Sequence, residues 1–341
     1  MKMLKSSRMR KVAVAASLVC VAAAASAVAA SSSSSGSQAT QLKIAGVVAQ
    51  TPDPYFVSMK CGAQAAAKKF GNVSLSWQGP VAPSVSQQIT ALGAVAATKP
   101  DGVILTPFSP TAFLRPVTQL MKQGIPVALT DSFLSKNAAY SATNTDVKAA
   151  GPVLATAMAK LMGGKGKLAI IAFGAGDPFE TPRYAGMVKI LKVTNPNITV
   201  LPVQYAAADT NKAAQVASGL LTANPDLKAI YATDGPMGQG AAAAIRTAHK
   251  RGIVKLVSFD AEPALVQDLK SGAIDGLYSQ APYIEGYNAM TSLVKYLRGA
   301  GAAKNPVKPG VPYYTASPLR FITKANLNSA ASKKFLYLAS C

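Results

Sequence analysis

From residue 41 onward, short apolar runs rich in β-branched residues alternate with Ala-rich segments of helical length, and a polar or Gly/Pro break follows each. The first run, 42–49, leads through a turn at Thr51-Pro52-Asp53-Pro54 into a helix over 55–70. The pattern then predicts a strand at 73–77, a helix at 84–97, a buried strand at 102–106, a helix at 111–123 and a strand at 126–130. A second series opens after Asn144-Thr145-Asp146 with a helix over 147–162, a Gly/Lys loop at 163–167 and a strand at 167–173. Helices at 183–193, 211–224, 238–251 and 263–271 then alternate with strands at 199–205, 229–233, 254–259 and 276–280. A last long helix, 283–298, carries Ile284, Tyr287, Met290, Leu293, Val294 and Leu297 at helical spacing, which is a packing face. Such alternation is the signature of parallel sheets covered by helices, and its restart at Lys167-Leu168-Ala169 marks two units of lobe size. The expected fold is α/β, with two doubly wound parallel-sheet lobes.

The first forty residues do not belong to this pattern. Lys2, Lys5, Arg8, Arg10 and Lys11 precede an apolar run from 12 to 25, and Ala25-Ser26-Ala27 and Ala27-Val28-Ala29 offer cleavage sites. A signal peptide over 1–29 and a Ser-rich flexible leader over 30–40 are expected. No later run has the length and hydropathy of a membrane span, so an exported product in the periplasm or on the outer face of the cytoplasmic membrane is expected. Cys20 follows Ser17-Leu18-Val19, a poor lipoprotein pattern. That leaves Cys61 and Cys341 after cleavage; an oxidising compartment permits their pairing, and spacing alone leaves two unrelated thiols open as well.

The formal charge of +21 raises the question of nucleic acid. The basic residues are scattered as singles and pairs, without a dense run, which fits a solvated basic surface and no nucleic-acid partner. Catalytic signatures are absent: no G-x-G-x-x-G follows the first strand, no P-loop or G-x-S-x-G elbow occurs, and the single histidine, His249, sits where a helix is expected to end. No cofactor and no metal are expected. Among 14 acidic residues, Asp131, Asp234 and Asp260 each follow a predicted strand. Ligands bind beyond the carboxyl ends of parallel strands, so these three suggest one polar cleft, the alternative for each being a helix cap.

In order along the chain stand Pro54-Tyr55-Phe56-Val57-Ser58-Met59-Lys60-Cys61-Gly62-Ala63, Lys99-Pro100-Asp101-Gly102-Val103-Ile104-Leu105, Gly124-Ile125-Pro126-Val127 leading to Asp131, Leu221-Thr222-Ala223-Asn224-Pro225-Asp226, and Phe259-Asp260. In this order and spacing, from 42 to 320, the chain resembles the ribose/galactose-type periplasmic binding proteins of ABC sugar importers. The resemblance implies two lobes joined by a three-stranded hinge that close on a ligand, with crossings near 142–146, after Gln280 and near 312–316. The first lobe would then comprise 41–143 with a return at 281–312, the second 144–280, and a hinge strand and tail 313–341.

Carried over residue by residue, the resemblance makes Asp53, Tyr55 and Phe56 the sugar-holding loop of the first lobe, with aromatic faces for the C–H face of the ring. Asp131, Arg183, Asp234, Asp260 and Gln280 fall on the other polar contact positions, Arg183 because Tyr184-Ala185-Gly186-Met187 follows it. Two positions depart from the ribose pattern: Ser132 replaces an arginine after the first-lobe aspartate, and Ala208 replaces an aromatic before Asp209. With Phe108, Phe133 and Phe179 as candidates to refill the pocket wall, the cargo implied is another monosaccharide or polyol. The implied role is that of a monomeric solute receptor that serves an ABC permease and ATPase, with a chemoreceptor as a further partner. An exported carbohydrate-active enzyme using clustered carboxylates, and a sensory subunit without transport, are the alternatives.

Overall fold

A computed structural model describes residues 41–299 and 313–341. The expected signal peptide at 1–29, the leader at 30–40 and the end of the expected return at 300–312 lie outside the described residues. The chain begins with β1 (Leu42–Val47), α1 (Pro54–Phe70), β2 (Val73–Gln78), α2 (Val85–Ala97), β3 (Gly102–Leu105), α3 (Leu114–Lys122), β4 (Val127–Thr130) and β5 (Ser141–Thr145). A 3-10 turn at Val147–Ala149 leads to α4 (Ala150–Met162), β6 (Gly166–Ala172), α5 (Thr181–Thr194), β7 (Ile198–Val200), β8 (Gln204–Tyr205) and α6 (Thr210–Ala223). Next come β9 (Leu227–Ala232), α7 (Gly235–Thr247), β10 (Lys255–Phe259), α8 (Pro263–Ser271) and β11 (Gly276–Ser279), then α9 (Pro282–Leu297), β12 (Tyr313–Ser317), β13 (Arg320–Ile322) and α10 (Ala330–Lys333).

These strands form two sheets, ordered β2-β1-β3-β4-β5-β12 and β7-β6-β9-β10-β11-β13, with β8 pairing β6 beyond β7. Strand for strand the two orders correspond, so the double start of the sequence pattern is a structural duplication. The last strands break the symmetry: β12 runs parallel to β5, whereas β13 runs antiparallel to β11. Central parallel strands are covered on both faces, which is why β3 (Gly-Val-Ile-Leu) is buried at every position. In the first lobe, α1 and α9 pack Ala63, Ala66, Met290 and Leu293 against Ile44 and Ile104, and α2 and α3 cover the other face through Val95, Val117 and Leu120. In the second, Leu154, Met158 and Met187 cover one face and Ala217, Ala241 and Leu265 the other. Helices α1 and α9 approach unusually closely, because a Cβ on Gly62 would collide with the Tyr283 carbonyl and one on Gly286 with that of Met59.

The chain crosses between lobes three times. It leaves the first sheet after Thr145 through the 3-10 turn, returns at Gln280-Ala281, and crosses again at Pro318-Leu319. The third crossing is expected at 312–316; residues 313–317 instead pair in register with Ser141–Thr145, so the crossing comes after Ser317. Likewise Asn144 and Thr145, expected to open the second lobe, belong to β5. The strand expected at 199–205 is broken into β7 and β8 around Pro202, which lacks the N–H that a ladder needs. Residues 111–113 form a turn ahead of α3, Gly166 opens β6 instead of sitting in a loop, and α7 starts at Gly235, three residues before the expected 238, and ends at Thr247, before His249.

Beyond β13 the tail touches both lobes. The Ser279 hydroxyl donates to the Phe335 carbonyl at 2.6 Å and the Tyr337 amide to Ala261 at 3.0 Å, while the Leu338 amide donates to the Ser58 hydroxyl of α1 at 2.7 Å. Cys341 is disulfide-bonded to Cys61 of α1, with 5.3 Å between Cα atoms, which resolves the pairing that spacing left open. Among the described residues no helix is long and apolar enough to cross a membrane.

Candidate functional site

The local sequence aims each first-lobe side chain. Asp53 caps α1 by accepting the Tyr55 amide at 2.8 Å, and Pro54 opens the helix, so Tyr55 and Phe56 fall on its first turn at the cleft. Burial, only partly offset by that amide, raises the Asp53 carboxyl to about 6, with Asp260 and Asp131 adding to the rise. The Tyr55 hydroxyl lies 2.8 Å from Asp131 Oδ1 and 3.1 Å from Glu285 Oε2. Burial holds this phenol well above its ordinary range, so it serves as a donor between two carboxyl groups.

Asp131 and Asp260 occupy equivalent places, each directly after the third strand from the crossing edge of its sheet. Both have left-handed backbones, with φ 58° and 74°. A non-glycine residue pays for that conformation, and the repetition at matching strand ends points both carboxyl groups into the cleft. Asp260 Oδ1 accepts from Gln280 Nε2 at 2.9 Å and from the Tyr337 hydroxyl at 2.7 Å. Burial raises Asp131, while Arg183 and the Tyr55 hydroxyl oppose the rise.

Arg183 stands in the first turn of α5. Its Nη1 donates to the Thr233 carbonyl at 2.8 Å and lies 3.6 Å from Asp260 Oδ2, and its guanidinium sits 4.4 Å from the centre of the Phe259 ring. Burial works against this charge, but Asp260, Glu180 and Asp131 hold its pKa above the ordinary arginine value. Asp234 caps α7 through the Met237 amide at 3.0 Å and still faces the cavity, so capping and cleft lining coexist in one residue. Burial raises it well above the usual carboxylate range, with Glu180 adding to the effect.

One cavity of about 550 Å³ gathers Asp53, Tyr55, Phe56 and Asp131 from the first lobe and Arg183, Asp234, Asp260 and Gln280 from the second. Phe108, Ser132, Phe179 and Ala208 also line it. Phe133 does not: half exposed, it meets Phe179 edge-on at 5.4 Å and lines a neighbouring cavity of about 500 Å³ beside the 3-10 turn. Asp209, next to Ala208, caps α6 through the Lys212 amide. Among the described residues no cluster of three potential ligands is placed to hold a metal ion.

The structure adds Asp177, Glu180 and Glu262 to the wall. Glu180 Oε2 accepts from the Phe173 amide at 3.1 Å and from the Thr233 hydroxyl. Glu262 leaves the N-terminus of α8 without a side-chain cap and lays its carboxyl group against Gly235, where a Cβ would collide with it. Behind Tyr55 and Asp131, Glu285 is fully buried and accepts from the Thr145 hydroxyl at 2.8 Å and the Asp131 amide at 3.0 Å. Proximity to Asp260 and Arg183 in sequence, in a chain with only 14 acids, was the available signal for Glu262 and Glu180. Nothing local marks Tyr337, which reaches Asp260 from 77 residues away.

A family profile described as periplasmic binding protein domain matches residues 44–301. The ribose import binding protein RbsB of Salmonella typhimurium is 30% identical over 269 residues, covering 77% of this chain and 88% of its own. A solute-binding protein of an ABC transporter from Agrobacterium vitis, solved with α-D-tagatopyranose, superposes with a TM-score of 0.78 at 29% identity, over 87% of this chain and 99% of that one. A second from the same organism, solved with D-fucose, gives 0.77 at 27% identity, over 86% and 100%. With two duplicated parallel-sheet lobes, three crossings and a polar cleft between strand ends, the chain belongs to the periplasmic binding protein family, in its ribose/galactose-type branch.

Proposed function

We propose that this chain is an extracytoplasmic receptor that holds a small polyhydroxylated ligand between its lobes and passes it to the permease and ATPase of an ABC importer. One observation carries the reading: the cavity wall keeps an open donor and an open acceptor. Arg183 Nε and Glu262 Oε2 are buried without a hydrogen-bond partner among the described residues, and both side chains line the cavity. Leaving such groups unmade costs about 1–3 kcal/mol each, and hydroxyl groups of a bound sugar supply both partners. The relatives support the same reading, since one is named for ribose import and the solved ones hold monosaccharides. The wall offers aromatic faces from Tyr55, Phe56 and Phe108 alongside the polar groups, a combination suited to a ring with one C–H face.

Binding without conversion fits the internal bonding of the carboxylates better than acid/base catalysis does. Asp131 and Asp260 already accept on Oδ1 from Tyr55, Gln280 and Tyr337, bonds that fix both carboxyl groups as acceptors facing a ligand's hydroxyl groups. Thermal-shift and calorimetric screening of pentoses, hexoses and polyols, with product analysis of each hit, tests the proposal. A ligand at about 100 times its Kd should add about 2.7 kcal/mol of stability and be recovered unchanged. Asp260→Ala and Arg183→Ala should abolish that stabilisation while keeping the circular dichroism of the free protein. A released product, or undiminished binding in both variants, would refute it.

A further inference from the structure

The cavity carries a charge that its own wall does not balance. Seven carboxyl groups line it, half of the 14 acids in a chain of formal charge +21, and Arg183 is the only basic residue that lines it among the described residues. A surface property would scatter these acids; here they converge on one cleft.

Most of the seven are accounted for within the protein. Asp131 is bonded by Tyr55, Asp260 by Gln280 and Tyr337, Glu180 by Phe173 and Thr233, and Asp234 by the amide of Met237. Glu262 is the exception. It is 8% exposed, its Oε2 has no partner among the described residues, and its neighbouring charges include Asp260, Asp53 and Asp234, all of its own sign. Burial, then Asp260 and Asp53, push this carboxyl well above the usual range, a penalty that a cation beside it would reverse. A neutral hydroxyl would fill the hydrogen bond but leave the repulsion; a positively charged N–H donor answers both. A divalent metal is not the matching cation, because no three potential ligands among the described residues are placed to hold one.

We propose that the ligand carries a protonated amine seated on Glu262, with Asp53 and Asp234 around it, so that the substrate class is the amino sugars and related polyhydroxylated amines rather than neutral monosaccharides. This rests on the reading of the cavity as the ligand site. Aromatic faces and Arg183 would still receive the ring and its hydroxyl groups, as they would for a neutral sugar, while the amine decides which ring is chosen.

The test is calorimetric titration of the purified chain with matched sets: D-glucosamine, D-galactosamine and D-mannosamine, their neutral parents, their N-acetylated forms, and 1-deoxynojirimycin for an amine within the ring. At least one amine should bind about tenfold or more tighter than both its neutral parent and its N-acetylated form, the gain of one charge-assisted contact. Glu262→Gln should cut that ratio by about tenfold, since it keeps the shape and removes the charge. If that variant fails to fold, Asp53→Asn, whose side-chain oxygen can still cap Tyr55, should reduce the same ratio. Neutral sugars binding as tightly as their amines, or a ratio unchanged in the folded variant, would overturn the proposal and leave the sugar-receptor reading standing. No binding by any member of the panel would overturn the proposal as well, and the wider screen of pentoses, hexoses and polyols would then decide the receptor reading.

Discussion

Replacing Glu285 with glutamine removes one buried titratable group and leaves the hydrogen bonds of that side chain available. Glu285 lies in the first turn of α9, with Oε1 accepting from the Thr145 hydroxyl and Oε2 from the Tyr55 hydroxyl and the Asp131 amide. A glutamine carbonyl can take the place of Oε2, and its NH2 can donate to the Thr145 hydroxyl, which rotates to accept. Burial, and then the charge of Asp131, raise Glu285 from 4.5 to about 8. The folded chain therefore holds a proton that the unfolded chain releases between those values. Support for folding from this group is complete below about pH 4.5 and is lost as the pH rises through about 8. At about 1.4 kcal/mol per unit the full window is on the order of 5 kcal/mol, and exchange of charge with Asp131 brings the usable part to roughly 2–4 kcal/mol. Urea unfolding at a series of pH values reads it directly. Glu285→Gln should match the parent within about 1 kcal/mol near pH 5 and exceed it by about 2–4 kcal/mol near pH 8, or roughly 4–8 °C in Tm. Two proteins that lose stability in parallel between those pH values would refute the reasoning, as would a variant less stable at the alkaline end.

The Cys61–Cys341 bridge spans a sequence separation of 280, so replacing both cysteines by serine should lower stability by up to about 5–6 kcal/mol, the chain-entropy ceiling, and should abolish the effect of reductant on the melting curve. Gly62→Ala should destabilise by about 2–4 kcal/mol in urea unfolding, because its Cβ meets the Tyr283 carbonyl. Gly93→Ala, in α2 with nothing within 4 Å of its Cβ, should instead stabilise by about 0.5–1 kcal/mol. Tyr337→Phe removes the donor 2.7 Å from Asp260 Oδ1 and should weaken ligand binding in calorimetry about tenfold, whereas unchanged affinity would exclude the tail from the site.

What could be read from the sequence follows from burial. Strands covered on both faces, such as β3 and the first three residues of β4, are apolar runs and stand out. β5 is Ser-Ala-Thr-Asn-Thr, fully buried yet mostly polar, because it lies beside the crossings where Thr145 meets Glu285 and Asn144 donates to the Ser132 carbonyl. No hydropathy pattern could have announced it. In the site, Asp131, Asp234 and Asp260 were visible because strand ends place them, whereas Asp53 entered only through the family resemblance. Glu285 reads in sequence as an ordinary acid in a first helical turn, where the helix dipole favours it. Only the docking of α9 beneath Tyr55 and Asp131 turns it into a buried carboxyl group that keeps its proton. Phe133 shows the reverse: a large apolar residue next to Ser132 reads as pocket wall, but its ring turns toward Phe179 at the rim.

The tail that ends at Cys341 sets a mechanical limit. The Tyr337 amide is seated on Ala261 of the second lobe, and Cys341 is covalently fixed to α1 of the first, with four peptide steps between them. An extended chain covers about 3.3–3.6 Å per residue, so that stretch reaches no farther than ~14 Å. While both ends stay seated, the two halves can gape at that point only as far as the leash pays out. For as long as the Tyr337 amide keeps its bond to Ala261, chain length caps the amplitude of opening, in the way a doorstop caps a swing.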